Sequence, residues 1–344
     1  MENKNVFIAI ALSMSVLLFW SAFFETPNPI EDKPLSNTSN QKKIETSNSI
    51  TPNINETIET QKISREDSIK KVKRVKIENE SIVGSISLKG GLIDDVSFKK
   101  HKNDLENKEN VIFLNPKDTI DGYFIETGWT SIGDKINVPS INSDWKVAGN
   151  NVLSENQSVT LKWDNGEGIV FKKIIELDNK YLFKISQVIE NNSNNSIDLY
   201  PYAQITRNKI PDDIQNFYIS HEGFIGVFDD ELKEDDYDDV EEKKISRESS
   251  NGWLGITDKY WMTALVPEQG KNFKSTFLYN NTFKANYIIN KPTTIQPSSS
   301  NSNNVRLFVA AKEVDTVDSY AENQNIQKLD LVIDWGWFYF FTKP

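Results

Sequence analysis

The chain has 344 residues, of which 38% are hydrophobic and 26% charged, and a formal net charge of −11. A balance this acidic argues against a nucleic-acid partner, because phosphate recognition needs clustered Lys and Arg. There is no Cys, which excludes a disulfide framework, a thiol nucleophile and a thiolate metal site.

The first element is an apolar run from Val6 to Phe24, interrupted only by Ser13, Ser15 and Ser21. About 20 apolar residues cross the hydrocarbon core of a bilayer at ~1.5 Å per residue. Phe19, Trp20, Phe23 and Phe24 crowd its far end like an interfacial aromatic belt. A cleaved signal peptide would have a shorter apolar region followed by a small-x-small site. Bulky Phe23 and Phe24 stand where that site would be, so an uncleaved transmembrane anchor over residues 1–25 fits better. Lys4 lies before the span, and Glu25, Glu31 and Asp32 follow it. The positive-inside tendency then puts the N-terminus in the cytoplasm and the rest of the chain outside.

Residues 26–76 are rich in Pro, Ser, Asn and Thr and nearly free of aromatics. Such a stretch cannot bury enough apolar surface to offset its ordering entropy, so it reads as a flexible linker. Its last part, "SREDSIKKVKRVK" (64–76), is either the end of the linker or a short helix.

From Ile77 the pattern becomes β. Ile82, Gly84, Ile86 and Leu88 alternate, then Gly90-Gly91 turns the chain into a second alternating run. Further on, Asp164-Asn165-Gly166 and Asp178-Asn179 separate strand runs, with residues that tolerate positive φ or bond their own backbone. Strands recur without the long helices of βαβ units, so residues 77–325 are expected to form an antiparallel all-β sandwich. A helix fits "TVDSYAENQNIQKLDLVID" after the last strand.

Little in this region suggests catalysis. His101 in "FKKHKND" and His221 in "YISHEGF" have no metal-ligand spacing and read as surface or loop residues. The acid run "DDELKEDDYDDVEEKK", Asp229 to Lys244, lacks the glycine of a calcium-binding loop, so a solvated, mobile loop is expected. No nucleophile-elbow, phosphate-loop, zinc-helix or dinucleotide motif occurs. The segment "SNGWLGITDKYWMTALVPEQG" (249–270) sets Trp253, Tyr260 and Trp261 beside Gly252 and Gly255. These rings either pack in the β core or form a surface that docks a partner.

The chain closes on "LDLVIDWGWFYFFTKP". Trp335 to Phe341 is too short to span a bilayer. Leu329, Ile333, Trp337 and Phe340 recur at helical spacing, with Asp330 and Asp334 on a neighbouring strip. Residues 326–344 therefore read as an amphipathic helix on the outer surface of a membrane, with Trp335, Trp337, Phe338, Tyr339 and Phe341 in the interface. The alternative is a hydrophobic tail folded back on the β-domain.

Taken in order, these segments resemble the YidC family of bacterial membrane protein insertases. The resemblance rests on the N-terminal span with its low-complexity linker, on "GGLIDDVSFKKHK", on "NGWLGITDKYWMTALVP" and on the closing aromatic stretch. It implies a mainly β chain: an antiparallel β-supersandwich periplasmic domain with a C-terminal helix, preceded by one transmembrane helix in the inner membrane. It also implies a non-enzymatic insertase or chaperone that needs no cofactor or metal. The implied partners are the lipid bilayer, nascent inner-membrane proteins and components of the Sec translocon. Family members continue past such a junction into further membrane spans that build a hydrophilic groove, so the sequence is expected to be the N-terminal portion of a longer protein. A competing expectation is a membrane-anchored carbohydrate-binding or mutarotase-like domain, whose chemistry needs a positioned His with a carboxylate.

Overall fold

The computed structural model describes residues 63–103, 109–132, 136–212, 214 and 220–333. The expected anchor, most of the expected linker, and the interface candidates Trp20, Trp335, Trp337, Phe338, Tyr339 and Phe341 lie outside these. Among the described residues no helix is long and apolar enough to cross a membrane.

Residues 64–76 form the short helix and a strand. Helix α1 (Arg65–Lys71) begins at Ser64, whose hydroxyl accepts from the Asp67 amide at 3.1 Å. Glu66 and Asp67 occupy its first turn and Lys70 and Lys71 its last, which complements the helix dipole. Arg65 and Arg74 pair with Asp95 and Asp94. These pairs clamp the segment to the sheet, so ordered structure starts before the Ile77 boundary expected from the sequence.

Among the described residues twenty strands follow: β1 (Arg74–Glu78), β2 (Ile82–Ser87), β3 (Leu92–Lys102), β4 (Asn110–Leu114), β5 (Tyr123–Thr130), β6 (Lys146–Val147), β7 (Val152–Leu153), β8 (Val159–Asp164), β9 (Ile169–Leu177) and β10 (Leu182–Asn191), then β11 (Ile197–Arg207), β12 (Gly223–Phe228), β13 (Glu231–Asp235), β14 (Ile245–Ser249), β15 (Gly252–Thr257), β16 (Trp261–Val266), β17 (Phe273–Tyr279), β18 (Phe283–Ile289), β19 (Thr293–Ile295) and β20 (Ser299–Ala311). They build two sheets. The first runs β14-β17-β18-β11-β5-β3-β2-β1-β7, with β19 on β11 and β4 on β3. The second runs β13-β12-β15-β16-β20-β10-β9-β8-β6. Among the described residues all strand pairings are antiparallel except β1 with β7. One hydrophobic cluster draws on both sheets, with Ile125, Ala203 and Tyr287 from the first and Phe171, Phe183 and Phe308 from the second. The expected sandwich is therefore present.

The turns act as their residues suggest. Asp178 Oδ1 accepts from the amides of Lys180 and Leu182, each at 2.9 Å, and so closes β9 onto β10. Asn165 Oδ1 does the same for Glu167 and Ile169 between β8 and β9. The acid run departs from expectation. Asp229 and Asp230 take positive φ (45° and 75°) in a tight hairpin turn, and Glu231–Asp235 forms edge strand β13. Helix α2 (Tyr237–Glu242) then buries Tyr237 and Val240. The run is thus an ordered edge rather than a mobile loop, because two apolar side chains pin it to the core.

The end of the chain differs too. Helix α3 (Val314–Asn323) stops early, since Asn325 and Lys328 take left-handed φ (50° and 53°). A 3₁₀ turn follows at Leu329–Val332, with Leu329 and Val332 buried in the main core. Packing therefore extends beyond residue 325, and Leu329 faces protein rather than a bilayer.

The Gly90-Gly91 turn holds a buried cation. Lys173, on the inner face of β9, donates to the Gly91 carbonyl at 3.1 Å and to that of Gly90 at 3.4 Å. Its ammonium also lies 4.8 Å from the centroid of the Trp145 ring. Gly91 has φ +61°, and a Cβ there would stand 3.1 Å from Lys173 Nζ. Burial lowers the Lys173 pKa to about 8, partly opposed by Glu126. Below about pH 8 the lysine is charged in both states and folding carries the full cost of burying it. Between about 8 and the ordinary 10.5 the unfolded chain holds more protons, so this group makes stability rise with pH. We expect the wild-type protein to gain about 3 kcal/mol relative to Lys173→Met across that window in chemical denaturation. A pH-independent difference would contradict the assignment.

Candidate functional site

A cleft of about 590 Å³ opens where β4, the start of β5, the end of β11 and the start of β16 converge. Arg207, the last residue of β11, stands at its floor. Its Nη1 donates to Asp258 at 2.6 Å and to the Tyr237 hydroxyl at 3.2 Å, and its guanidinium lies 4.5 Å from the centroid of the Tyr123 ring. Burial pushes the Tyr123 and Tyr237 phenols above their ordinary range. Burial works against the charge of Arg207, but Tyr237, Asp258 and Tyr123 outweigh it, so the guanidinium stays charged.

The rim is polar and the far wall aromatic. Lys209 bridges Asp121 at 2.9 Å and Asp212 at 2.7 Å, an exposed pair that adds little stability. Trp261 stacks on Phe98 with centroids 5.0 Å apart, and Phe98 stacks in turn on Phe113 at 5.2 Å. Tyr260 is 59% exposed at the mouth. Among the described residues no group of His, Asp and Glu is placed to hold a metal ion. Hydrogen-bonding groups beside exposed rings equip the cleft for binding.

The sequence candidates separate here. Tyr260 and Trp261 line the cleft. Trp253 does not: it is fully buried, and its indole N–H donates to the Gln327 carbonyl at 2.9 Å. It therefore cannot dock a partner, and instead pins the C-terminal segment to the second sheet. Gly252 serves the same packing, with φ +115° and no room for a Cβ, which would meet the Val227 carbonyl at 1.9 Å. Neither histidine is a free surface residue. His101 is part-buried on β3 and meets Glu313 at 3.1 Å, while His221 contacts the Phe224 carbonyl at 2.9 Å and Asp236 at 3.5 Å. Neither lines the cleft.

Sequence reading missed Arg207 and Asp258. A signal existed: Leu199, Ala203 and Ile205 share the inner face of β11, and strand alternation puts Arg207 on it too. An inward Arg demands a buried partner.

These features define an antiparallel β-sandwich domain with a cleft lined by charged groups and aromatic rings. The chain belongs to the YidC periplasmic domain family, whose model matches residues 74–344. It is 45% identical over its whole length to the membrane protein insertase YidC of Pelagibacter ubique, of which it covers 61%. It is 34% identical to the membrane protein insertase YidC of Methylorubrum extorquens, of which it covers 60%. The chain thus spans about three fifths of the length of these curated relatives. Among solved structures, a galactose mutarotase related enzyme from Lactobacillus acidophilus aligns with 69% of this chain and 97% of its own, at 13% identity and a TM-score of 0.47.

Replacing Asp258 by Asn should leave the mostly buried Arg207 charge uncompensated and cost about 3 kcal/mol, read as a fall in denaturation midpoint at unchanged slope. The double change Arg207→Met with Asp258→Leu should recover most of that loss. A neutral Asp258→Asn would show the pair to be dispensable.

Proposed function

We propose that the protein to which these residues belong is a membrane protein insertase that assists insertion and folding of inner-membrane proteins. The carrying observation is the 45% identity over the whole chain to a relative of that name. In this reading Val6–Phe24 anchors the chain with its N-terminus in the cytoplasm, and the sandwich stands on the periplasmic side. Trp20, Trp335, Trp337, Phe338, Tyr339 and Phe341 sit in the membrane interface, where amphipathic rings gain most. Tyr260 and Trp261 form a partner-docking surface. Partners are the bilayer, nascent inner-membrane proteins and Sec translocon components, and the protein performs no enzymatic reaction.

The test is replacement. A chimaera in which residues 1–344 take the place of the corresponding part of a relative insertase should restore growth to bacteria depleted of their own. No growth from a chimaera that is folded, membrane-located and as abundant as its parent would contradict the proposal.

A further inference from the structure

The sheets manage their edges unequally. An exposed strand edge offers unpaired N–H and C=O groups to any extended chain, and proteins guard such edges with charge, proline or brevity. Edge strands β13 ("ELKED") and β14 ("ISRES") carry charges, and β6 and β7 have two residues each. Strand β4 ("NVIFL") has five residues, with neither charge nor proline. It pairs with β3 on one side and, among the described residues, with no strand on the other.

That unguarded edge faces the cleft. Consecutive residues Val111, Ile112 and Phe113 all line it. Successive side chains of a strand point to opposite faces, so a cleft that touches all of them runs along the edge and not over one face. The next strand in line leaves before reaching β4. Strand β11 ends at Arg207 opposite Tyr123. Asn208 stays with the loop between β4 and β5, its amide donating to the Gly122 carbonyl at 2.8 Å and its side-chain amide to the carbonyls of Lys117 at 3.0 Å and Thr119 at 2.8 Å, so it does not continue along β4.

We propose that the cleft receives an extended segment of another polypeptide, which adds to β4 as a further strand. The recognition is main chain to main chain, with side chains read by the walls. Ile112, 41% exposed, and Tyr260 across the cleft take an apolar residue. The ligand is not acidic. Asp258 pairs with Arg207, and Asp121 and Asp212 share Lys209; Glu222 and Lys259 form no ion pair among the described residues, so the four carboxylates of the lining outnumber its three cations by one. A basic residue of the incoming strand meets Glu222. This inference stands on the cleft and does not depend on the insertase reading.

The probe is a short synthetic peptide alternating Val and Lys, offered to the 344-residue chain in lipid nanodiscs. Hydrogen exchange should show new protection over Asn110–Leu114. Methylating alternate peptide nitrogens in the register that faces β4 should weaken binding by about tenfold or more, through lost backbone hydrogen bonds. Ile112→Lys and Tyr260→Ala, both at exposed positions, should weaken it without changing the denaturation midpoint, and an alternating Val–Glu peptide should bind more weakly. Equal binding of both methylation registers and the parent, protection elsewhere, or no binding would overturn the proposal. So would self-association of the chain through β4 that the peptide fails to displace.

Discussion

The ladder between β10 and β20 is the constraint on which the architecture depends. It runs without a break from Leu182 opposite Phe308 to Asn191 opposite Ser299. Its partners lie more than a hundred residues apart in the chain, so every strand between must find its place before or while it forms. Such closure is entropically expensive and is returned only by the burial it completes. Phe183, Ile185 and Ile189 on one strand and Val305, Leu307 and Val309 on the other meet the same core. The ladder also sets β16 beside β20, and so places Trp261 at the cleft wall. Helix α3 leaves β20 and folds back on the β9–β10 turn, where the Tyr320 hydroxyl accepts from the Tyr181 amide at 3.1 Å and donates to Asp178.

Local chemistry in this fold was legible from sequence, and long-range pairing was not. Asp178, Asn165 and the Gly90-Gly91 pair marked turns because their conformational preferences act within a few residues. Alternation in β9 and β10 announced half-buried strands. No local signal told that β20 would join β10. The acid run was opaque for another reason. An edge strand wetted on both faces shows no alternation, and β13 has none of its residues buried. At the C-terminus the helical spacing of apolar residues was present, but left-handed Asn325 and Lys328 split the segment and turned Leu329 inward.

The candidate site shows the same division. Tyr260 and Trp261 stood out as large rings in a glycine-bearing segment, yet Trp253, three residues after Ser250 in that segment, serves packing alone. The site's electrostatic floor joins Arg207, Tyr123, Tyr237 and Asp258 from elements scattered along the chain. Only the fold brings them together. Membership of the YidC periplasmic domain family accounts for the scaffold, while the cleft and its unguarded edge are built by Val111, Ile112, Phe113, Arg207 and Tyr260.

The first sheet-forming segments and the last buried turn belong to one cooperative unit closed by the β10–β20 ladder. Native-state hydrogen exchange of the chain tests it directly. The Leu329, Leu331 and Ile333 amides, bonded to the carbonyls of Ile326, Lys328 and Asp330, should exchange with the same opening free energy and denaturant slope as the amides of β10 and β20. Exchange of those three by a separate, low-energy opening, with the ladder still protected, would contradict it.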